Sequence, residues 1–177
     1  MKAVNNKILV TCDMKQKDQI TINGFTLKCA NSYNTNYRER SPVVCSRVDT
    51  GEILIVHHNT LYTPSPYHLG DNLFSIPSNS KILFAKLEED LSLTPLLGHF
   101  FCERVEIPSD FPLPPEYIKH YDDRVRVTDP GQTRYKTGQL LFTRPFSYYE
   151  IVYIINNQQK RVIRCHEDMV VGYLIDK

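Results

Sequence analysis

Thr50-Gly-Glu-Ile-Leu-Ile-Val56, a glycine turn feeding a run of branched apolar residues, returns later in the chain as Thr137-Gly-Gln-Leu-Leu-Phe-Thr143. Working outward from each copy, the same strand-like runs follow in the same order. Lys7-Ile-Leu-Val-Thr11 and Pro42-Val-Val-Cys-Ser-Arg-Val48 precede the first; His99-Phe-Phe-Cys-Glu103 and Asp123-Arg-Val-Arg-Val-Thr128 precede the second. Phe74-Ser-Ile-Pro77 and Lys81-Ile-Leu-Phe-Ala-Lys-Leu87 follow the first; Arg161-Val-Ile-Arg-Cys165 and Met169-Val-Val-Gly-Tyr-Leu-Ile175 follow the second. A repeat of this kind fixes the architecture before any single element is assigned. The chain reads as one β pattern written twice, over residues 1–90 and 97–177, with Glu88-Glu-Asp-Leu-Ser-Leu-Thr-Pro95 as a brief linker.

The apolar runs are short, rich in Val, Ile, Phe and Tyr, and separated by Gly, Pro, Asn and Asp clusters. That pattern predicts an all-β sandwich or barrel. Pro114-Pro-Glu-Tyr-Ile-Lys-His-Tyr121 offers at most a short turn of helix. The 177 residues suffice for one ordinary domain or for two small ones of about 85 residues each. Two units that small are expected to lean on each other or on neighbouring subunits.

A net charge of +1 and the lack of any Lys/Arg run exclude the electrostatic footprint of a nucleic-acid binder. Cys12, Cys29, Cys45, Cys102 and Cys165 are odd in number and show no C-x-x-C spacing. All but Cys29 sit in strand-like runs, where a free thiol behaves as a small apolar side chain, so a reducing cytosol is expected. The first residues, Met-Lys-Ala-Val-Asn-Asn, hold no apolar stretch of signal-peptide length. No window approaches the roughly 20 apolar residues of a membrane span. The expectation is a soluble, cytoplasmic protein with no membrane partner.

Two stretches interrupt the strand rhythm. Residues 14–41 are polar and rich in Asn, Lys, Thr and Arg, and a loop this long inside a small domain is usually functional or disordered. The second copy carries a shorter counterpart, Pro108-Ser-Asp-Phe-Pro-Leu-Pro-Pro115, stiffened toward extended conformations.

A strand, a long polar loop holding Gly24-Phe-Thr-Leu27, a returning strand and a glycine turn into an apolar strand together resemble the GroES-type co-chaperonin family. Thr50-Gly-Glu-Ile-Leu-Ile-Val-His-His58 is similar to that family's Lys-x-Gly-Asp-x-Val segment, with Glu52 in place of Asp, and Tyr135-Lys-Thr-Gly-Gln-Leu-Leu-Phe142 repeats it with Gln139 there. Glu150-Ile-Val-Tyr153 and Val162–Val171 look like the closing strands. The likeness spans nearly the whole chain through short, degenerate motifs. It implies two tandem GroES-like β-barrels, as in the double-barrel co-chaperonins of plastids; the Asn- and Lys-rich composition without tryptophan would suit a phage-encoded version.

The resemblance implies a non-enzymatic function without a cofactor. The protein would be a homo-oligomeric ring that caps a GroEL-type chaperonin and assists protein folding through a mobile loop. Phe25 and Leu27 would be the docking residues, flanked by Ile20 and Ile22. Gly24 would permit unusual backbone geometry, and Thr26 would point away by strand alternation. Fixing such a loop costs roughly 1–2 kcal/mol per residue, while two buried apolar side chains return about 1.5–3 kcal/mol each. Several loops would therefore have to engage together. Phe111 and Leu113 would form a second anchor or cover a barrel end, and Tyr148 and Tyr149 a subunit interface. The alternative reading of the docking segment is an edge strand packed on the barrel. The alternative function is a structural or assembly protein, for example of a virion, that uses the barrel to oligomerise.

Other constellations point away from catalysis. His57-His58 should face opposite sides of a strand and so not chelate one metal ion. In Cys165-His166-Glu167-Asp168 a thiol neighbours an imidazole, but adjacent strand residues rarely face each other and no orienting group is evident. No phosphate-binding glycine motif is present. The aromatic run Phe142–Glu150 could stack nucleobases, but without a basic groove its tyrosines fit packing better.

Overall fold

The computed structural model describes residues 6–12, 19–22, 24–28, 42–61, 66–105, 124–144 and 147–173. The first half contributes β1 (Lys7–Cys12), β2 (Gln19–Ile22), β3 (Phe25–Lys28), β4 (Val43–Arg47), β5 (Ile53–Val56), β6 (His68–Gly70), β7 (Leu73–Pro77), β8 (Leu83–Leu87) and β9 (Leu93–Pro95). The second contributes β10 (His99–Arg104), β11 (Arg124–Asp129), β12 (Leu140–Thr143), β13 (Tyr149–Ile155), β14 (Gln158–His166) and β15 (Val170–Tyr173). The protein is all-β, and among the described residues there is no α-helix.

These strands form two antiparallel sheets, ordered β6-β7-β1-β4-β5-β8-β9 and β15-β12-β11-β10-β14-β13-β3-β2. Within them one six-strand order occurs twice: β6-β7-β1-β4-β5-β8 in the first repeat and β13-β14-β10-β11-β12-β15 in the second. The likeness extends to single bonds. Gly51 N–H donates to the Arg47 carbonyl and Arg47 N–H to the Glu52 carbonyl; Gly138 to Val127 and Val127 to Gln139 repeat the pair. Both glycines have positive φ, +75° and +86°, a turn conformation that disfavours a Cβ. The same register irregularity interrupts β5–β8 between Ile55 and Val56 and β12–β15 between Phe142 and Thr143. The bulge pushes out Phe84 in the first repeat and Val171 in the second.

The expectation of two barrels is met at the coarser level of two antiparallel sheets. Neither closes on itself among the described strands: β6 and β9 end one, β15 and β2 the other. Among the described residues there are three apolar clusters. One lies inside the first repeat (Val10, Val43, Leu54, Phe74, Ile76) and one inside the second (Phe100, Val125, Val127, Leu141, Cys165). The third joins the repeats, setting Val44, Ile55, Phe84 and Leu87 against Phe101, Ile151, Tyr153 and Ile155. Strands β4, β5, β8 and β10 are therefore buried on both faces. This is why Val43-Val-Cys45 and Leu54-Ile-Val56 read as unbroken apolar runs rather than as alternation.

One cross-link was not expected. Cys12 and Cys45 lie directly opposite each other on β1 and β4 and form a disulfide, with Cα atoms 4.5 Å apart. Cysteine spacing alone leaves both as free thiols. Pairing across strands depends on register, which no cysteine spacing reveals. The bond ties together the two strands that flank residues 13–42. Cys102 and Cys165 are free and buried, and Cys29 lies outside the described residues.

Candidate functional site

Strands β2 and β3 form a hairpin inside the stretch 14–41. It does not stand out as a separate loop: β3 pairs with β13 of the second repeat in the register Leu27–Tyr153, Thr26–Ile154 and Phe25–Ile155. The hairpin thus extends the second repeat's sheet with chain from the first. Gly24, at φ +88°, makes the turn. Asn23-Gly24 between Ile22 and Phe25 is the residue pair that two-residue hairpin turns favour, and it was the local signal for this element. The Thr21 and Thr26 hydroxyls, 2.9 Å apart, bond across the pair.

Phe25 and Leu27 are fully buried in the cluster between the repeats, and the Phe25 ring stacks on Tyr153 at 5.2 Å between centroids. In this arrangement neither residue is displayed for a partner. The strand that carries them is not an edge strand either: β3 is paired with β13 on one side and β2 on the other, and its buried face packs across the joint. Exposing both side chains would forfeit about 3–6 kcal/mol of burial. Thr26 does point away from that core, half-buried. Ile20 and Ile22 lie on the outermost strand, with their side chains outside the described residues, as are Phe111 and Leu113 altogether.

The two tyrosines proposed for a subunit interface take different places. Tyr148 receives the Arg104 guanidinium over its ring at 4.1 Å. Tyr149 lies in the joint between the repeats, where its hydroxyl is 2.7 Å from His58 Nδ1 and its ring lies 5.1 Å from that of Phe84. Tyr149→Phe removes this hydrogen bond while keeping the ring, and should lower stability by about 0.5–1.5 kcal/mol in urea unfolding. His57 and His58 depart from the expected alternation: their rings lie 4.1 Å apart, because β5 ends at Val56 and the chain enters a 3-10 turn at His58. Among the described residues, no group of three or more His, Cys, Asp or Glu is placed to hold a metal.

Cys165 and His166 point to opposite faces. The Cys165 thiol, pushed up in pKa by burial, faces the second repeat's core and lies near Ser147. His166 Nδ1 accepts from Asp168 N–H at 3.2 Å and Nε2 donates to the Leu97 carbonyl at 3.1 Å. Nε2 thus ties the end of β14 to the segment just before β10, while Nδ1 caps the turn that follows β14.

Beside them lies a buried cluster of basic side chains, Arg164, His99 and His166, that no sequence motif marks. Arg164 leaves β14 toward the joint and lays its guanidinium over Phe84 at 4.0 Å. Burial lowers its pKa to about 10. His99 is fully buried, its Nε2–H donating to the Lys81 carbonyl at 2.9 Å, with Arg164 3.5 Å from its Nδ1. Burial first, then the charges of Arg164 and His166, push its pKa down to about 3. Both residues lie in β runs whose pattern assigns a face but not a neighbour. At the other end of the joint, a groove of about 840 Å³ runs between Thr50–Ile53 and Lys86–Ser92. Glu52, the residue matched to the acidic position of the resemblance, bridges Arg47 at 2.9 Å and Lys86 at 3.2 Å. Burial opposes its ionisation, yet bonds from Thr50, Lys86 and Arg47 hold its carboxyl below the usual range.

No known protein-family model, curated protein or solved structure matches the chain. Its own geometry carries the functional argument. No helix among the described residues is long and apolar enough to cross a membrane.

Proposed function

We propose that this chain is a non-enzymatic assembly subunit, built from two GroES-like β units and clasped internally by its 19–28 hairpin. The observation that carries the reading is the burial of Phe25 and Leu27 between the repeats, where they build the joint. Side chains that invited a chemical reading support it as well: Cys165 packs in the second repeat's core, His166 holds a strand end and His58 the joint. The repeated strand order supports a tandem of two like units, and in this reading copies of the chain associate into a homo-oligomer.

A second reading, a lid for a GroEL-type chaperonin, is favoured by one observation. The hairpin is the terminal element of its sheet, so it can leave without breaking any other strand pairing. Docking would then require its release. Thr26→Cys/Ile154→Cys places a cross-link at directly paired positions of β3 and β13. Co-sedimentation with a GroEL-type ring and nucleotide separates the readings. The assembly reading expects no binding, oxidised or reduced. Binding that appears on reduction and vanishes on oxidation would establish the lid and overturn the clasp as the functional state.

A further inference from the structure

The joint inside the chain is made by two different faces, and each face has an unused equivalent elsewhere in the molecule. The first repeat buries its outer face, Val44, Ile53, Ile55 and Phe84, against the second. The shared register and bulge assign Arg124, Leu140, Phe142 and Val171 to the same positions in the second repeat. Among the described residues no strand packs over them. Phe84 is 1% exposed, whereas its counterpart Val171 is 64% exposed, and the neighbouring edge residue Tyr173 is 46% exposed. Arg124 lies over the Phe142 ring at 5.3 Å, and Arg126, directly opposite Leu140, is paired with Glu103 at 3.5 Å, so the apolar face has a charged border.

The complementary face behaves in the same way. The second repeat meets the first through Phe101 on β10, with Val162 and Ile151 beside it. Pairing of Phe101 with Arg164 and of Leu9 with Ser75 makes Leu9 the equivalent of Phe101 and Leu73 that of Val162. β6 stands where β13 stands, and its Leu69 is 58% exposed. The outer edge of β13 is covered by β3, while the outer edge of β6 has no strand beside it among the described residues.

We propose that a second copy of this chain docks its Leu9, Leu69 and Leu73 face onto the Leu140, Phe142 and Val171 face of the first, repeating the internal joint between molecules. The contact is heterologous, so copies add head to tail and form a ring if the rotation closes or a filament if it does not. This rests on the assembly reading and names its surfaces. Val171 and Leu69 are exposed, so Val171→Asp and Leu69→Asp test each face without disturbing a core.

Analytical ultracentrifugation of the full chain over a concentration series gives the readout. Wild type should form closed or open oligomers larger than a dimer. Each single variant should raise the dissociation constant at least about tenfold. An equimolar mixture of Val171→Asp and Leu69→Asp should stop at dimers, because each variant keeps one intact and complementary face. Oligomers in wild type and unchanged association in both variants would overturn the assigned faces while leaving the assembly reading standing. A wild type that stays monomeric throughout would overturn both.

Discussion

Phe25→Ala should lower the stability of the whole chain by about 3–5 kcal/mol, the cost of emptying a large aromatic site in a packed core. Phe25 has no exposed surface, stacks on Tyr153 and touches the cluster that holds the two repeats together. The cavity would open at the joint, so chemical unfolding should show both repeats weakened. Thr26→Ala, one residue along and half-buried, should cost far less, because it loses only a rim hydrogen bond to Thr21. A displayed docking loop would give the opposite pattern: no stability change for Phe25→Ala, and loss of partner binding alone. Urea midpoints for the two variants distinguish these outcomes.

Acid should loosen the same joint from its other end. His99 is neutral in the fold, since its Nε2–H donates to Lys81 and its other nitrogen faces the Arg164 guanidinium. His166, whose ring lies 4.7 Å away, is also held neutral, by burial first. The other groups facing His99 include Phe84 and the peptides of Lys81 and Cys165, none able to neutralise a new charge. The folded pKa of His99, about 3, lies below its ordinary value of 6.5. Its stabilising contribution is therefore complete above pH 6.5 and is lost as the pH falls from there toward 3. Each pH unit in that window costs about 1.4 kcal/mol, so about 2 kcal/mol should be gone by pH 5. Carboxylates titrate mostly below that range, which leaves the slope to the histidines. Unfolding free energies at pH 7.5, 6 and 5 should fall for wild type and flatten for His99→Gln. A wild-type profile that is level down to pH 5 would mean that His99 is solvated and the joint open.

Much of the fold was legible because the repeat is written in backbone requirements. The glycines at 51 and 138 have positive φ, and each is followed by one polar residue and then a four-residue strand, Ile53–Val56 or Leu140–Thr143. Strands β1, β4, β5, β7 and β8, and their counterparts β10, β11, β12, β14 and β15, fall on the runs quoted from the sequence. The joint was less legible, although its signal was present. Val43-Val-Cys45, Leu54-Ile-Val56 and Phe100-Phe-Cys102 are apolar without alternation, which marks strands covered on both faces.

The hairpin escaped for a different reason. Its alternating strands sit within a long polar stretch, and the apolar partners of Phe25 and Leu27 lie in β13, in the other half of the chain. Local pattern cannot name a partner so far away, and tertiary pairing decided the outcome. The Cys12–Cys45 bond and the Arg164–Phe84 contact share that origin, since both depend on which strands are neighbours. His57 and His58 escaped alternation because the strand had already ended.

The most direct test of the clasp is hydrogen exchange, followed peptide by peptide in the native, unmodified chain. If β3 belongs to the sheet, amides of residues 25–28 exchange slowly, with protection comparable to that of Tyr149–Ile155 in β13. Complete exchange of residues 19–28 within seconds, while β13 stays protected, would contradict the account and return Phe25 and Leu27 to the role of a free docking segment.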